Sequence, residues 1–328
     1  MLLTYVARRL LWTIPFLFAV SIVVFALIQA PPGDFLTTYV AQLAASGESI
    51  DASRVEALRE RYGLNAPFYV QYWKWISGLM VGDFGQSFEW NQSVWTLIAS
   101  RLPMTLVLML STFVFAWGVA LPIGIYSAVR KYTLGDYAVT FLGFLGLATP
   151  NFLLALVILY VGARFYGVHM GGLFSDEYEG APWSLAKVAD LYSHLWIGIL
   201  VLGTGILASL IRIMRANLLD ELAKPYVTTA RAKGMSEWRL ILKYPVRIAL
   251  NPFVSIIGLY FPALISGAVV TAVVLGYPTL GPLMLQSLLA QDMYLAGGIL
   301  MIMCALTVLG MLISDVLLAV LDPRVRYD

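Results

Sequence analysis

Ser266, followed by Gly267, and His194 are the residues inside the apolar stretches that could form a nucleophile–base pair. A serine becomes a useful nucleophile only when an adjacent base takes its proton. A hydrolase acting within a membrane is therefore the first chemistry to weigh. Its G-x-S-G motif needs Gly at position 264, where this sequence has Leu264. Small residues and serines in membrane helices mostly serve packing, so Ser266 is read as a packing residue and His194 as an interfacial one. ATP hydrolysis through a P-loop is also excluded: G-x-x-x-x-G-K-[ST] is absent, as is the dipeptide Gly-Lys. Carriers driven by protons or sodium usually keep ionisable groups inside the bilayer. Here the span interiors hold only His194 and Asp315, each near an end. No cluster of His, Cys or acids suggests a metal site, and the single Cys304 cannot form an internal disulfide. No catalytic, cofactor-binding or metal-ligating residue is assigned. What remains is a passive channel, or a pore driven by other chains.

The elements that would build such a pore are plain. Apolar residues make up 60% of the 328 and charged ones 12%, with a mean hydropathy of +0.81. Soluble domains carry about twice that charge. A membrane helix needs about 20 apolar residues. Uncharged runs meet this at Leu10–Gly33, Leu102–Val129, Tyr137–Ala163, Leu191–Ile211, Ile248–Gln291 and Met293–Ser314. The fifth run is broken by Gly276-Tyr277-Pro278 and Gly281-Pro282, leaving one span near Phe253–Leu275 and a shorter half-buried piece, Leu280–Leu289. The expected fold is an all-α polytopic membrane protein with six transmembrane helices. The first apolar run is too long for a signal peptide, so no cleavage is expected.

Lys and Arg concentrate on the cytoplasmic side of membrane proteins. With both termini inside, the inner segments hold 14 of the 21 basic residues, and the outer ones hold 12 of the 19 acids. Both ends inside requires an even number of spans, so charge and count agree.

The loop at 31–101 is long for a connection and is expected to fold. Ser53-x-x-Glu56 is a capping-box pattern, followed by Val55, Leu58 and Tyr62 at helical spacing and Gly63 as a stop. Trp73, Trp75, Trp90 and Trp95 suit the membrane–water interface, or else a small plug. Pro15, Pro122, Pro150 and Pro262 permit kinks. Gly143, Gly146, Gly198, Gly203, Gly205, Gly258 and Gly267 permit close helix packing.

The segment Pro225–Pro252 is basic, short and amphipathic, between two hydrophobic segments. Tyr226–Lys233 can form one helix, Gly234 a turn, and Ser236 a cap for a second helix, Glu237–Tyr244. Pro245 should end that helix. Arg231, Lys233, Arg239 and Lys243 would present a basic surface. On charge alone this is an ordinary cytoplasmic loop.

Its pattern adds more. Tyr226-Val227-Thr228-Thr229-Ala230-Arg231-Ala232-Lys233-Gly234 resembles the ATPase-coupling ("EAA") loop of ABC importer permeases. The chain resembles the dipeptide/oligopeptide/nickel family over nearly its whole length, in particular the dipeptide-permease B or oligopeptide-permease B type of subunit. Other motifs fall in the family's order. Arg8-Arg9-Leu10 precedes the first span, and Pro32-Gly33-Asp34 follows it. Tyr62-Gly63-Leu64-Asn65-Ala66-Pro67 and Gly82-Asp83-Phe84-Gly85-Gln86-Ser87 come next. Arg101 with Thr105, and Pro150 with Phe152, precede the coupling loop. Asp322-Pro323-Arg324-Val325-Arg326 closes the chain. Departures are Phe35 for a second Pro, Thr228-Thr229-Ala230 for a strict E-A-A, Tyr244-Pro245-Val246-Arg247 for His-Ala-Leu-Arg, and Gly276-Tyr277-Pro278-Thr279-Leu280-Gly281 for W-P-G-L-G.

The resemblance implies a type I importer fold. It implies an N-terminal segment and first helix at 1–30, an external loop subdomain at 31–101 and a permease core at 102–328. Core helices are expected near 103–129, 137–165, 193–214, 253–275 and 293–318, with a coupling loop at 217–250. It also implies a second homologous permease subunit, two ABC ATPase subunits carrying ATP and Mg2+, an external substrate-binding protein and a lipid bilayer, without nucleic acid. This chain would be a pore-forming subunit in a bacterial inner membrane and would not itself be an enzyme. Coupling residues would be Tyr226, Thr229, Ala230, Arg231, Ala232, Lys233, Gly234, Ser236 and Trp238. Asp292, Tyr294, Pro150 and Phe152 would be outer-gate or pathway residues. Asp292 fills the Asp of the family's R-D-Y-P motif, and a helix cap is its plainer reading. The implied cargo is di- or oligopeptides, with oligosaccharides or another small solute as the alternative. A signalling or anchoring membrane protein would need none of these partners.

Overall fold

The computed structural model of the protein describes residues 2–30, 35–37, 40, 55–56, 60, 65–167 and 170–321. The capping-box helix, Pro32–Asp34, Tyr62-Gly63-Leu64 and the C-terminal Asp322–Arg326 lie wholly or partly outside the described residues.

The regular secondary structure among the described residues is helical, with one isolated bridge, Gln86 to Ser93. In chain order the helices are α1 (Leu2–Gln29), α2 (Phe68–Met80), α3 (Val94–Val129), α4 (Leu134–Ala148) and α5 (Asn151–Val161), which runs on into a π turn at Gly162–Tyr166. Then follow α6 (Leu185–Leu222), α7 (Pro225–Ala232), α8 (Glu237–Lys243), α9 (Pro245–Ser255), α10 (Ile257–Leu275), α11 (Leu280–Leu289) and α12 (Met293–Leu321). Among the described residues, five helices are long and apolar enough to cross a bilayer, and α4 with α5 makes a sixth if the bent pair is one span.

That pair stands where one span near 137–165 is expected, and the kink that Pro150 permits there is a full break between two helices. The chain turns by 101° between α4 and α5. Pro150 has no N–H to give to the preceding turn, and it forces Thr149 out of helical geometry, to φ −92° and ψ 120°. Pro15 and Pro262, by contrast, sit inside unbroken helices.

The chain packs as two compact units. One is built mainly on Leu106–Pro278, the other on Ala7–Thr105 with Thr279–Val308. In the first, α6 is the central element, touching α4, α5, α9 and α10. Its core gathers Leu210, Met214 and Leu218 of α6 with Val227, Leu240, Ile241, Val246 and Phe253. In the second, Phe25 of α1 meets Tyr72 and Trp75 of α2 at ring-centroid distances of 5.5 and 5.4 Å. Trp75 is buried, while Trp73 and Trp95 are exposed. The tryptophans expected to share an interface thus divide between core and surface.

Candidate functional site

The first candidate site is the helix–turn–helix of α7 and α8. Pro225 stands in the first turn of α7, where its missing N–H costs nothing. α7 ends in a tight turn: Gly234 takes φ +77°, and its N–H donates to the Arg231 carbonyl at 3.0 Å. A Cβ there would meet open space, so the demand for glycine is conformational. Ser236 occupies the N-cap of α8, but its side chain makes no capping hydrogen bond, contrary to its expected role. α8 ends at Lys243, and Pro245 opens α9.

The segment that carries the expected coupling residues has two faces. Val227, Leu240 and Ile241 are buried in the core with Leu218, and Tyr226 and Ala230 pack against it. Burying each such aliphatic side chain stabilises the docked loop by about 1.5–3 kcal/mol. The Tyr226 hydroxyl donates to Glu221 Oε2 at 2.6 Å, and burial, with that bond beside it, pushes its pKa up. Thr229, Arg231, Ala232, Lys233, Gly234, Ser236 and Trp238 are exposed. Arg231 reaches across the turn to both carboxylate oxygens of Glu237. The basic surface expected here is therefore carried by Lys233, Arg239 and Lys243, and Arg231 serves the turn.

The second candidate site is Asp292. It is fully buried, just before α12. Its Oδ1 accepts the Leu295 N–H at 3.2 Å, which is the N-cap bond. Its Oδ2 accepts the Ser87 hydroxyl at 2.5 Å, the Phe88 N–H at 2.8 Å and the Glu89 N–H at 3.2 Å. Burial pushes the carboxyl up from its ordinary range, and these donors pull it back. Asp292 is thus a cap and also the anchor of the Gly82–Ser87 loop. That loop is shaped for the contact. Asp83 Oδ1 accepts the Gly85 N–H at 2.9 Å. Gly85 has φ +78°, and a Cβ on it would lie 2.7 Å from the Tyr294 ring. Phe88 and Tyr294 pack edge to face at 5.3 Å. Asp292 and Tyr294 therefore share one cluster. Pro150 and Phe152 belong to the other unit, at the bend between α4 and α5, with Phe152 exposed.

Residues 120–327 match the model of the binding-protein-dependent transport system inner membrane component, and residues 2–109 match the N-terminal model of such membrane components. The chain belongs to this family. The oligopeptide transport system permease protein AppB of Bacillus subtilis strain 168 is 38% identical over 324 residues, 98% of this chain and 99% of the relative. The glutathione transport system permease protein GsiC of Escherichia coli strain K12 is 34% identical over 326 residues, 99% of this chain and 100% of the relative. The chain is a multi-pass permease subunit of an ABC importer, and ATP hydrolysis belongs to separate subunits.

The permease also holds a buried ion pair that sequence reasoning missed. Asp136, near the start of α4 and 2% exposed, receives Arg215 of α6 through two bonds, Nε to Oδ1 at 2.9 Å and Nη2 to Oδ2 at 2.8 Å. Ser127 also donates to Oδ1, and the Tyr132 N–H to Oδ2 at 2.9 Å. This clasp fixes the α3–α4 connection on α6. Asp136 sits at the edge of an apolar run, and that was the available signal. His194 turns its Nδ1 to the Asp190 carbonyl at 2.9 Å and the Ser193 hydroxyl at 3.1 Å. Ser266 is not among its partners, so the hydrolase geometry is missing. Among the described residues, no group of His, Cys, Asp and Glu could hold a metal ion.

Proposed function

We propose that this permease forms half of a peptide pathway and is driven through α7 and α8. A second, similar permease completes the pore. Two ATPase subunits carrying ATP and Mg2+ bind below, and an external binding protein delivers di- or oligopeptides. Both termini lie in the cytoplasm. The carrying observation is the two-faced loop: one face is buried with Leu218 at the end of α6, while the other leaves Trp238 and Leu242 exposed one turn apart. An apolar ridge beside Lys233, Arg239 and Lys243 suits insertion into a groove on an ATPase. The buried face carries the resulting movement to α6, in keeping with rigid-body rocking of packed bundles. Asp292 and Tyr294 act on the outer side by holding the Gly82–Ser87 loop, and Pro150 and Phe152 contribute to the pathway at the bend. Peptide cargo is supported by the names of the two relatives.

The test compares Trp238→Ala with Gly234→Val in the reconstituted transporter. Trp238→Ala removes an exposed side chain, so membrane level and unfolding midpoint should hold while peptide uptake and substrate-stimulated ATP hydrolysis fall together. Gly234→Val should lose uptake and also soften the turn, because a β-branched residue at φ +77° is strained. Full uptake by both variants would remove the coupling role. A reporter active only in the cytoplasm, placed after Lys233, checks the orientation, and silence there would overturn it.

A further inference from the structure

Two cavities in the unit built on Leu106–Pro278 share walls. The larger, about 550 Å³, is lined by residues of α4 and α5 on either side of their bend, by α6 and by Ile123 of α3. The smaller, about 220 Å³, is lined by α4 and α6 and reaches Arg212 and Arg215. Val139, Gly143, Ala208 and Ile211 line both, so the two form one groove. From Leu200 to Arg212, at 1.5 Å per helical residue, the groove runs about 18 Å. One leaflet's hydrocarbon is about 15 Å deep.

The groove has an apolar body and a cationic end. Its walls are mostly Val, Leu, Ile, Ala and Gly. Thr149 and Thr204 have spent their hydroxyl protons on carbonyls of their own segments, at 2.8 and 2.9 Å. A peptide backbone lying there would leave its polar groups unpaired, which is costly. An acyl chain asks for nothing. Of the two arginines, Arg215 is committed to Asp136. Arg212 lies 5.1 Å from the Phe144 ring centroid and, among the described residues, forms no ion pair with a carboxylate. A cation without a counter-charge near a membrane surface attracts anionic headgroups.

We propose that the groove holds an anionic phospholipid, with an acyl chain along Leu153, Val157 and Leu200 and its phosphate on Arg212. Its assignment to the cytoplasmic leaflet rests on the orientation proposed above. The bound lipid would fill the elbow that the bend opens, beside the line where α4 packs on α6.

Native mass spectrometry of the assembled transporter, in neutral detergent with equal phosphatidylglycerol and phosphatidylcholine, tests this. The wild type should retain phosphatidylglycerol preferentially. Arg212→Gln should lose about fivefold of that preference, as expected for one basic residue at a membrane surface, and Arg212→Lys should keep most of it. Gly143→Leu, which fills the shared wall, should retain little lipid of either kind, and the mass of the assembled complex reports whether each variant has folded. The same preference in Arg212→Gln as in wild type would overturn the proposal. So would a wild-type complex retaining no lipid, the result expected if a partner helix or the transport pathway occupies the groove. The readout is bound lipid rather than uptake, so failure of the coupling model would leave this result standing.

Discussion

Asp136 and Asp292 are both buried carboxylates beside the start of a helix, and they are stabilised in opposite ways. Asp136 meets a guanidinium, with Ser127 and one backbone N–H in support. Among the described residues Asp292 meets no cation: a hydroxyl and three backbone N–H groups satisfy it. The first arrangement joins two helices through opposite charges. The second makes one carboxylate the point on which the Ser87 hydroxyl and the Phe88 and Glu89 N–H groups converge. A loss at the first therefore exposes a charge, and a loss at the second exposes dipoles.

The largest effect is expected at the ion pair. Asp136→Ala leaves Arg215, itself 27% exposed, without its carboxylate. Breaking such a pair from one side costs about 3–5 kcal/mol when it is fully buried, and the part exposure of Arg215 places the cost near the lower end. A marked fall in unfolding midpoint in detergent is expected. The double variant Asp136→Leu with Arg215→Met removes both charges and should recover much of the loss. Strictly additive losses would show that the two side chains are not coupled.

Asp292 comes next, and the structure changes what an amide should do there. As a helix cap alone, Asn would serve as well as Asp. But Oδ2 accepts three donors while Oδ1 accepts the cap bond. An Asn side chain offers one oxygen, and its NH2 must face donors on one side or the other. Asp292→Asn should cost about 2 kcal/mol. Ser87→Ala, which removes one donor of four, should cost about 1 kcal/mol. Equal midpoints for wild type and Asp292→Asn would reduce the residue to a cap. A raised basal ATPase rate in Asp292→Asn would tie the loop to the outer gate.

The sequence revealed local features and missed distant ones. The spans are readable because uncharged runs of that length have few other uses, and α11 falls at Leu280–Leu289 as expected. Helix ends are less so. α6 extends to Leu185–Leu222 rather than 193–214, because Lys187, Asp190, Arg212 and Arg215 stop an uncharged run without stopping a helix. Asp190 and Arg215 find partners, and Lys187 donates to the Ala181 carbonyl at 2.6 Å. At Asp292 the cap is a local pattern and was legible. Its bond to Ser87 spans 205 positions, and no periodicity records it. The bond from Arg215 to Asp136 spans 79, with the same consequence. In the α7–α8 segment the exposed basic residues were readable as a pattern of residue types. That Tyr226 and Ala230 turn inward while Arg231 folds onto Glu237 depends on tertiary packing.

The smallest effect is expected at that third carboxylate. Glu237 pairs with Arg231 through two bonds, as Asp136 does with Arg215, but both partners are about half exposed, at 54% and 51%. Water already solvates each charge, so the pair gains little by meeting. The turn it spans is independently held by the backbone bonds of Lys233 and Gly234 and by the positive φ of Gly234. Arg231→Gln should therefore leave the unfolding midpoint unchanged, whereas Asp136→Ala shifts it strongly. Arg231→Gln also frees a carboxylate beside Lys233 and Arg239 on the face proposed to dock. Substrate-stimulated ATP hydrolysis should consequently fall at unchanged stability, and more so at low salt, where unscreened charges act over longer distances. A midpoint shift as large as that of Asp292→Asn would make the pair a structural clasp like Asp136–Arg215 and erase the distinction between the buried and exposed carboxylates.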